Sequence, residues 1–142
     1  MKAVEGAVGY HLRRAQNVVL EDVGRRMRTL GLKPRDFTVM SVIGANPGIN
    51  ASRIAESLPM KRSNLSVLLV SLKRRGLVRR ADGEDFGRIQ SLHLTPEGVA
   101  LLEEARRLHR EHLSFIESIL GRSEMTQLMH SLRKLGSYVS ES

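Results

Sequence analysis

The sequence predicts a mainly α-helical fold with one small β-hairpin (α+β). Apolar residues recur at helical spacing over most of the 142-residue chain, and only five residues are aromatic, so we expect an aliphatic core packed between helices. Two short segments of strand-like composition, separated by a loop with two glycines, interrupt this pattern after residue 76. A chain of this length forms one compact domain, or one domain with an oligomerisation extension.

The first predicted helix covers residues 4–30. Its apolar positions follow the three-to-four spacing of a single stripe, and Gly31 supplies the stop signal. Charged residues, Asp22 among them, occupy much of the rest of the helix. A helix this long cannot bury its stripe against a small domain alone, so we expect it to pack against a partner. The stripe comprises Val4, Val8, Leu12, Ala15, Val18, Val19, Val23, Met27 and Leu30.

Two further helices are expected before residue 60. Pro34 stands where an N1 proline begins a helix. After the turn Asn46-Pro47-Gly48, Asn50 is a preferred N-cap for a short helix over residues 52–58. The buried side of the first of these helices is predicted to carry Phe37, Met40 and Ile43.

The helix predicted over residues 62–76 organises the rest of the chain. One face is apolar, and Gly76 ends the helix after three cations that favour the negative end of its dipole. The other face begins with short polar side chains behind two cations, as reading a DNA major groove requires; the alternative is an ordinary amphipathic surface helix. The apolar face carries Leu65, Leu68, Leu69 and Leu72, and the opposite face carries Ser63, Asn64, Ser66 and Val67, preceded by Lys61 and Arg62.

A short helix and the 62–76 helix, joined by a tight turn, make a helix-turn-helix. Residues 77–81 and 89–94 are predicted strands, and the glycine-containing segment 82–88 joins them as a hairpin loop. A hairpin in this place is a wing. The central part of the chain is therefore predicted to be a winged helix-turn-helix.

Two helices are predicted after the wing. Thr95 as N-cap and Pro96 at N1 begin a long helix that Gly121 breaks, and Ser123 with Glu124 opens the last one. Long helices thus lie at both ends of the winged segment. The apolar stripe of the first of them comprises Leu101, Leu102, Ala105, Leu108, His112, Phe115, Ile116, Ile119 and Leu120.

The chain is strongly basic, with a formal net charge of +8 and a pI near 10.8, which points to a polyanionic partner. Residues 61–90 hold eight cations against three acids and so carry most of the excess. A basic run is usually only a solvated face. Here the cations surround the predicted helix and hairpin, so the expected partner is double-stranded DNA.

Several classes of protein find no support in the sequence. The absence of cysteine excludes disulfides and thiolate metal sites, and no membrane span or secretory signal is recognisable, so we expect a cytoplasmic protein with no membrane partner. His109 and His112 lack accompanying ligands and are expected to be surface or interface histidines, with no metal. No phosphate-binding loop, dinucleotide fingerprint or hydrolase motif is present, so we expect neither an enzyme nor a cofactor.

Four short motifs follow one another at characteristic distances. They are Pro47-Gly48-Ile49, Ile54-Ala55-Glu56-x-Leu58, Leu72-x-x-Arg75-Gly76-Leu77-Val78-x-Arg80 and Leu92-x-Leu94-Thr95-Pro96-x-Gly98. Each motif alone is common among winged helices. In this order, with helices at both ends, the sequence resembles the MarR family of transcriptional regulators over nearly its whole length.

The resemblance implies a homodimer held together by the first helix and the last two. It divides the chain into an N-terminal dimerisation helix (1–31), a winged helix-turn-helix DNA-binding domain (32–95) and C-terminal dimerisation helices (96–142). The recognition helices of such a dimer enter successive major grooves of an inverted repeat, and wing arginines enter the flanking minor grooves. Arg88 falls on the position of the wing arginine.

The resemblance also implies a response to small ligands. Many family members bind small, often anionic aromatic effectors near the junction of the dimerisation helices and the helix-turn-helix. His11 with Arg14 is then a candidate anion-binding pair, the alternative being polar neighbours on a dimer seam. Phe37 and Met40 are candidates for a pliable apolar wall of the effector pocket.

The recognition helix and the wing each depart from the family pattern. The family's recognition helix usually reads Ser-Thr-Val-Thr-Arg, whereas residues 63–67 read Ser-Asn-Leu-Ser-Val, so Val67 replaces an arginine and one phosphate or base contact is lost. The wing usually carries Asp-x-Arg, and Asp85 lies one residue out of that spacing. We expect Asn64 to read an adenine edge and Val67 to touch a thymine methyl group.

The predicted function is sequence-specific regulation of transcription, as a repressor that binds an inverted-repeat operator as a homodimer and is released by an effector. Two alternatives stay open: a low-specificity architectural DNA-binding protein, in which Val67 marks lost sequence reading, and a winged helix used for protein–protein contact. Lys73 and Arg74 equally fit neutralisation of the helix dipole. The predicted DNA contacts are Lys61, Arg62, Ser63, Asn64, Ser66, Val67, Lys73, Arg74 and Arg88.

Overall fold

The computed structural model describes residues 2–82 and 90–139. It confirms the mainly helical fold with one β-hairpin. The first helix starts at Val8 instead of residue 4, because a short 3₁₀ turn and Gly6, a weak helix former, precede it. In chain order the elements are a 3₁₀ turn (Lys2–Val4), α1 (Val8–Arg28), α2 (Pro34–Ala45), α3 (Ala51–Ser57), α4 (Arg62–Arg74), β1 (Val78–Asp82), β2 (Gln90–Leu94), α5 (Pro96–Leu120) and α6 (Arg122–Gly136).

Both predicted N-caps are confirmed. The side chain of Asn50 accepts a backbone N–H at 2.9 Å at the start of α3, and that of Thr95 accepts one at 3.0 Å at the start of α5. The last helix, predicted to open at Ser123 with Glu124, starts one residue earlier. That helix already begins at Arg122, directly after Gly121, whose φ of 83° is one that glycine adopts readily.

The hairpin is attached to the helix-turn-helix by backbone hydrogen bonds. β1 and β2 pair in antiparallel fashion over five residues each. Leu92 of β2 also accepts from Gly48 and donates to Ile49, each at 2.9 Å, in the turn that precedes α3. The hairpin is therefore a wing, as predicted. Its connecting residues 83–89, including Arg88, lie outside the described part of the chain.

The core lies between the C-terminal half of α1, helices α2, α3 and α4, the hairpin and the first half of α5. The predicted apolar stripe of α4 is confirmed, with three leucines buried and the fourth, Leu68, half-buried. A Cβ added to Gly98 would lie 2.1 Å from the carbonyl oxygen of Leu77, so only glycine lets α5 start this close to the chain leaving α4. The buried leucines are Leu65, Leu69 and Leu72.

α1 and α6 leave apolar faces uncovered in the single chain. No residue of α6 is buried, and the first half of α1 is exposed along its predicted stripe. Within the described ranges, no helix is both long and apolar enough to cross a membrane. That a second copy of the chain covers these apolar faces stays a prediction. The exposed residues include Val8, Leu12, Val18 and Leu20 in α1 and Leu128, Met129, Leu132 and Leu135 in α6.

A buried hydrogen bond between α1 and α5 corrects two predictions. Asp22, placed among the polar positions of α1, is only 4% exposed, and His112, expected at the surface or an interface, is 3% exposed. The His112 ring donates from Nδ1 to Oδ2 of Asp22 at 2.6 Å. Periodicity did not reveal the pair, because spacing along one helix does not show what faces it. No group of three or more potential metal ligands lies together in residues 2–82 and 90–139.

Candidate DNA-binding interface

The exposed face of α4 is the centre of the candidate interface. The predicted contact residues at the start of the helix are all exposed, as the groove-reading interpretation requires. Helical spacing places four residues in one line along the middle of this face, opposite the buried leucines. Asn64 and Ser66 flank the line on opposite sides. The line comprises Ser63, Val67, Val70 and Arg74.

The C-terminal end of α4 is fixed by backbone and side-chain hydrogen bonds. Gly76, at φ 73°, lets its own N–H and that of Leu77 reach the carbonyls of Lys73 and Leu72, each at 3.0 Å. The Thr95 hydroxyl donates to the carbonyl oxygen of Gly76 at 2.6 Å. The end of the recognition helix is thus tied directly to the start of α5.

Arg75 has a structural position. Its guanidinium donates to the carbonyl oxygen of Gly31 at 2.7 Å and lies 3.6 Å from the carboxylate of Asp36. These contacts fasten α4 to the segment between α1 and α2. Of the three cations in the last turn, Arg75 is therefore structural, and Lys73 and Arg74 stay candidates for DNA contact.

The first wing strand adds cations beside the end of α4. Lys73 is half-buried, and burial, together with the charge of Arg80, lowers its pKa. Arg79 and Arg80 of β1 are both exposed. The basic surface thus continues from the recognition helix onto the wing. The contact predicted for Arg88 stays a prediction, because this residue is outside the described ranges.

A cleft of about 360 Å³ separates the start of α2 from α4. Lys33 and Arg35 line it from the α2 side, and Asn64 and Val67 line it from the α4 side. Both cations are exposed, so the cleft places two positive charges beside the groove-reading face. Sequence reasoning missed them because they belong to no basic run, and only folding brings α2 next to α4.

The predicted effector pair His11 and Arg14 lies on the exposed first half of α1. The ring of His11 is 2.8 Å from the carbonyl oxygen of Glu5. The guanidinium of Arg14 lies 5.8 Å from the ring centre of Tyr10 and donates to its hydroxyl at 3.4 Å. Both side chains are accessible in the single chain, and their role in binding an anion stays a prediction.

The other two predicted effector residues lie in α2 against the core. Met40 is completely buried, whereas Phe37 is half-buried, with its ring centre 5.0 Å from that of His109. Burial, together with the neighbouring His112, lowers the pKa of His109. His11 and Arg14 thus contact Glu5 and Tyr10, whereas Phe37 contacts His109, and none of these contacts joins the two pairs of predicted effector residues.

Ion pairs extend from the buried contact of α1 and α5 to the surface. Burial alone would raise the pKa of Asp22, but hydrogen bonds from Arg26 and His112 outweigh it and hold that pKa below its usual value. Arg26 also donates to Glu111 at 3.1 Å, and Glu111 accepts from Arg107 at 2.8 Å. The helices that flank the DNA-binding core are therefore joined by charge as well as by apolar packing.

Comparison with known proteins decides the family. A sequence profile of the MarR family matches residues 30–89. The fold matches the transcriptional repressor CouR bound to a 23-mer DNA duplex with a TM-score of 0.89, at 33% identity over 94% of each chain. The chain belongs to the MarR family. The predicted family and the winged-helix fold are both confirmed, and this MarR-family chain is a transcriptional regulator.

A second structure of CouR and one further relative agree with this assignment. CouR bound to p-coumaroyl-CoA matches with a TM-score of 0.89 and 32% identity over 98% of each chain. A putative transcriptional regulatory protein for the hcr operon of Thauera aromatica is 28% identical over 134 residues, which are 94% of this chain and 81% of that protein. The similarity to these MarR-type regulators therefore extends well beyond the winged helix.

Proposed function

We propose that this MarR-family chain is a homodimeric repressor that binds an inverted-repeat operator and is released by a small effector. The observation that carries the proposal is the exposed face of α4, which has cations at both ends and is held outward by a buried leucine stripe. CouR, similar over nearly the whole chain, has been solved with DNA. Two-fold related α4 helices fit successive major grooves of an inverted repeat.

The dimer is proposed to form through the two ends of the chain. Residues 1–31 and 96–142 supply the dimerisation helices, and residues 32–95 form the DNA-binding domain. The uncovered apolar faces of α1 and α6 support this division, because a monomer would leave both in water. The two DNA-binding domains would then be spaced by the helices that join them.

The DNA contacts divide into positioning and reading. The residues proposed to bind phosphates or the minor groove are Lys61, Arg62, Lys73, Arg74 and, from the wing, Arg88. The residues proposed to contact base edges are Ser63, Asn64, Ser66 and Val67. Asn64 offers the amide that pairs with an adenine edge. Lys33 and Arg35 join the phosphate contacts, since they line the cleft beside Asn64 and Val67.

The effector is proposed to be a small aromatic anion. CouR has been solved with p-coumaroyl-CoA, an aromatic thioester with phosphate charges. His11 and Arg14 supply exposed cationic or polar groups, and Phe37 and Met40 supply apolar wall once the pocket opens. Such a ligand weakens DNA binding only if it prefers the dimer geometry that does not fit the operator.

We further propose that the chain has no catalytic role and acts in the cytoplasm, where a bacterial-type operator would be.

A second function, low-specificity architectural DNA binding, is favoured by one observation. Val67 stands where the family usually has an arginine, and it is 72% exposed at the centre of the reading face.

The deciding experiment is selection of random duplexes by the purified protein, followed by titration of the best site in rising salt. An enriched inverted repeat, bound about a thousandfold tighter than random DNA, would establish the regulator. Equal affinity for all duplexes, decaying with salt, would replace it by the architectural function. Absence of salt-dependent binding would favour a protein-interaction module.

Effector release is tested on the selected operator. Adding p-coumaroyl-CoA is expected to lower operator affinity, whereas coenzyme A alone is the matched control for its phosphates. Release by both compounds equally would show competition by charge and not recognition of the aromatic group. Unchanged affinity across a panel of aromatic acids and their thioesters would remove the effector from the proposal.

A further inference from the structure

Two valines occupy the centre of the exposed face of α4. Val67 is 72% exposed and Val70 is 52% exposed. They are three residues apart and lie side by side on the line that runs from Ser63 to Arg74. The middle of this line is therefore apolar, with Ser63 before it and Arg74 after it, while Asn64 and Ser66 flank it.

Water is a poor environment for this pair. Valine loses side-chain freedom in a helix, so it is also a weaker helix former than the polar residues that usually fill an exposed face. Single exposed apolar residues are common on protein surfaces and call for no explanation. Two that adjoin at the middle of one helix face, in a strongly basic region, form a continuous contact surface.

The surrounding charge selects the occupant of this surface. Lys61 and Arg62 stand before the pair, Arg74 stands after it, and Lys33 and Arg35 line the cleft beside Val67. Cations on several sides match the two phosphate strands that border a DNA groove. An apolar protein partner would leave these charges unpaired at its edge.

Only one base offers an apolar group in the major groove. Thymine presents its C5-methyl group there, whereas the other bases present hydrogen-bond donors and acceptors that a valine cannot satisfy. The axial rise between Val67 and Val70 is about 4.5 Å, more than one ~3.4 Å base-pair step and less than two. The pair therefore matches two neighbouring base pairs.

We infer that Val67 and Val70 read the methyl groups of two neighbouring thymines in each half-site. This inference rests on the proposed function, since it needs an operator and α4 in its major groove. It adds Val70 to the specificity residues and gives the valine at position 67 a positive role. The preference for the operator then comes from apolar contact with methyl groups at the centre of the exposed face of α4. The polar residues around the two valines add hydrogen bonds.

The test replaces each thymine of the selected operator by uracil, symmetrically in both half-sites. Uracil keeps the pairing and all hydrogen-bonding groups and removes only the methyl group. The wild-type dimer is expected to lose about fourfold in affinity per methyl contact at the thymines facing each valine, the factor that corresponds to ~0.8 kcal/mol for one methyl-sized group.

Variants assign the contacts. In Val67→Ala and Val70→Ala, which favour the helix and should fold, the loss on uracil substitution is expected to vanish at one thymine each. Val99→Ala is the matched control, because Val99 is also an exposed helical valine, 52% accessible, but lies on α5. It should keep the full wild-type response to uracil.

The outcomes separate the inference from the proposed function. Selection that enriches no operator would remove both. An enriched operator whose affinity is unchanged by uracil at every position would overturn the inference and leave the repressor intact. The inference is overturned in the same way if Val67→Ala and Val70→Ala respond to uracil as the wild type does.

Discussion

The ring of His112 lies 2.6 Å from the carboxylate of Asp22, and this buried hydrogen bond joins α5 to α1. Both helices belong to the ends of the chain that we propose for dimerisation. Arg26 donates to the same carboxylate oxygen at 2.9 Å and continues the network to Glu111 at the surface. The buried hydrogen bond and the ion pair of Arg26 with Glu111 thus fasten α1 to α5.

Removing His112 should cost stability. His112→Ala removes one buried hydrogen bond to Asp22, while Arg25 and Arg26 still pair with its carboxylate. The expected loss in the free energy of unfolding is about 2 kcal/mol, the cost of a lost hydrogen bond to a charged group. Urea denaturation near neutral pH measures it. Glu104→Gln is the control, since it breaks only an exposed pair with Arg107 and should leave the stability almost unchanged. Equal effects of the two substitutions would contradict the role of the buried pair.

Stability should fall when the protein is acidified below the unfolded pKa of His109, near 6.5. The folded chain lowers this pKa, so the unfolded state binds more protons in that range and stability is lost as the pH falls through the folded value. Denaturation at about pH 7.5 and about pH 5.5 should show a decline that His109→Gln reduces. The depressed pKa of Asp22 acts only at lower pH. An undiminished decline in the variant would refute the assignment.

Arg35 is expected to bind a phosphate and not a base. Arg35→Ala should weaken binding to all duplexes by a similar factor and reduce the salt slope by about one for each contact removed. Fluorescence anisotropy on operator and random DNA at several salt concentrations measures both quantities. Arg110→Ala, which removes an exposed arginine of α5, is the matched control. Loss confined to the operator would show that Arg35 reads sequence instead.

Restoring the family's arginine at position 67 should strengthen general DNA binding. Val67→Arg adds a cation at the centre of the reading face, so affinity for random duplexes is expected to rise and the salt slope to steepen by about 0.9 for each new phosphate contact. The ratio of the affinity for the operator to the affinity for random duplexes should fall at the same time. Val99→Arg adds the same charge on α5. A similar gain in that control would mean that net charge, and not position, is responsible.

The dimer is expected to depend on the apolar face of α6. Leu132→Asp places a charge within that face, and the dimer should dissociate because burying an unpaired carboxylate is costly. Light scattering coupled to size exclusion gives the mass, and operator affinity should fall with it. Gln127→Asp adds the same charge on the opposite side of α6 and should stay dimeric. A dimeric Leu132→Asp would exclude this face from the interface.

The sequence by itself determined the local structure. Apolar spacing located the helices, Asn50 and Thr95 marked two helix starts, and Gly76 marked the end of α4, because each of these signals acts through a neighbour a few residues away. The exposed start of α4 was predicted for the same reason. The start of α6 was predicted one residue late, at Ser123, because the helix begins directly after the break at Gly121.

Only the tertiary structure decided which distant residues meet. The contact of Asp22 with His112 spans two helices at opposite ends of the chain, and the cleft that brings Lys33 and Arg35 beside Asn64 joins two others. The periodicity of apolar residues shows which side of a helix faces the core. It does not show which residue of another helix packs against that side. The interaction energy of a buried charge depends on the residues around it. Those residues are distant in the sequence, and only the packing of the whole chain brings them together.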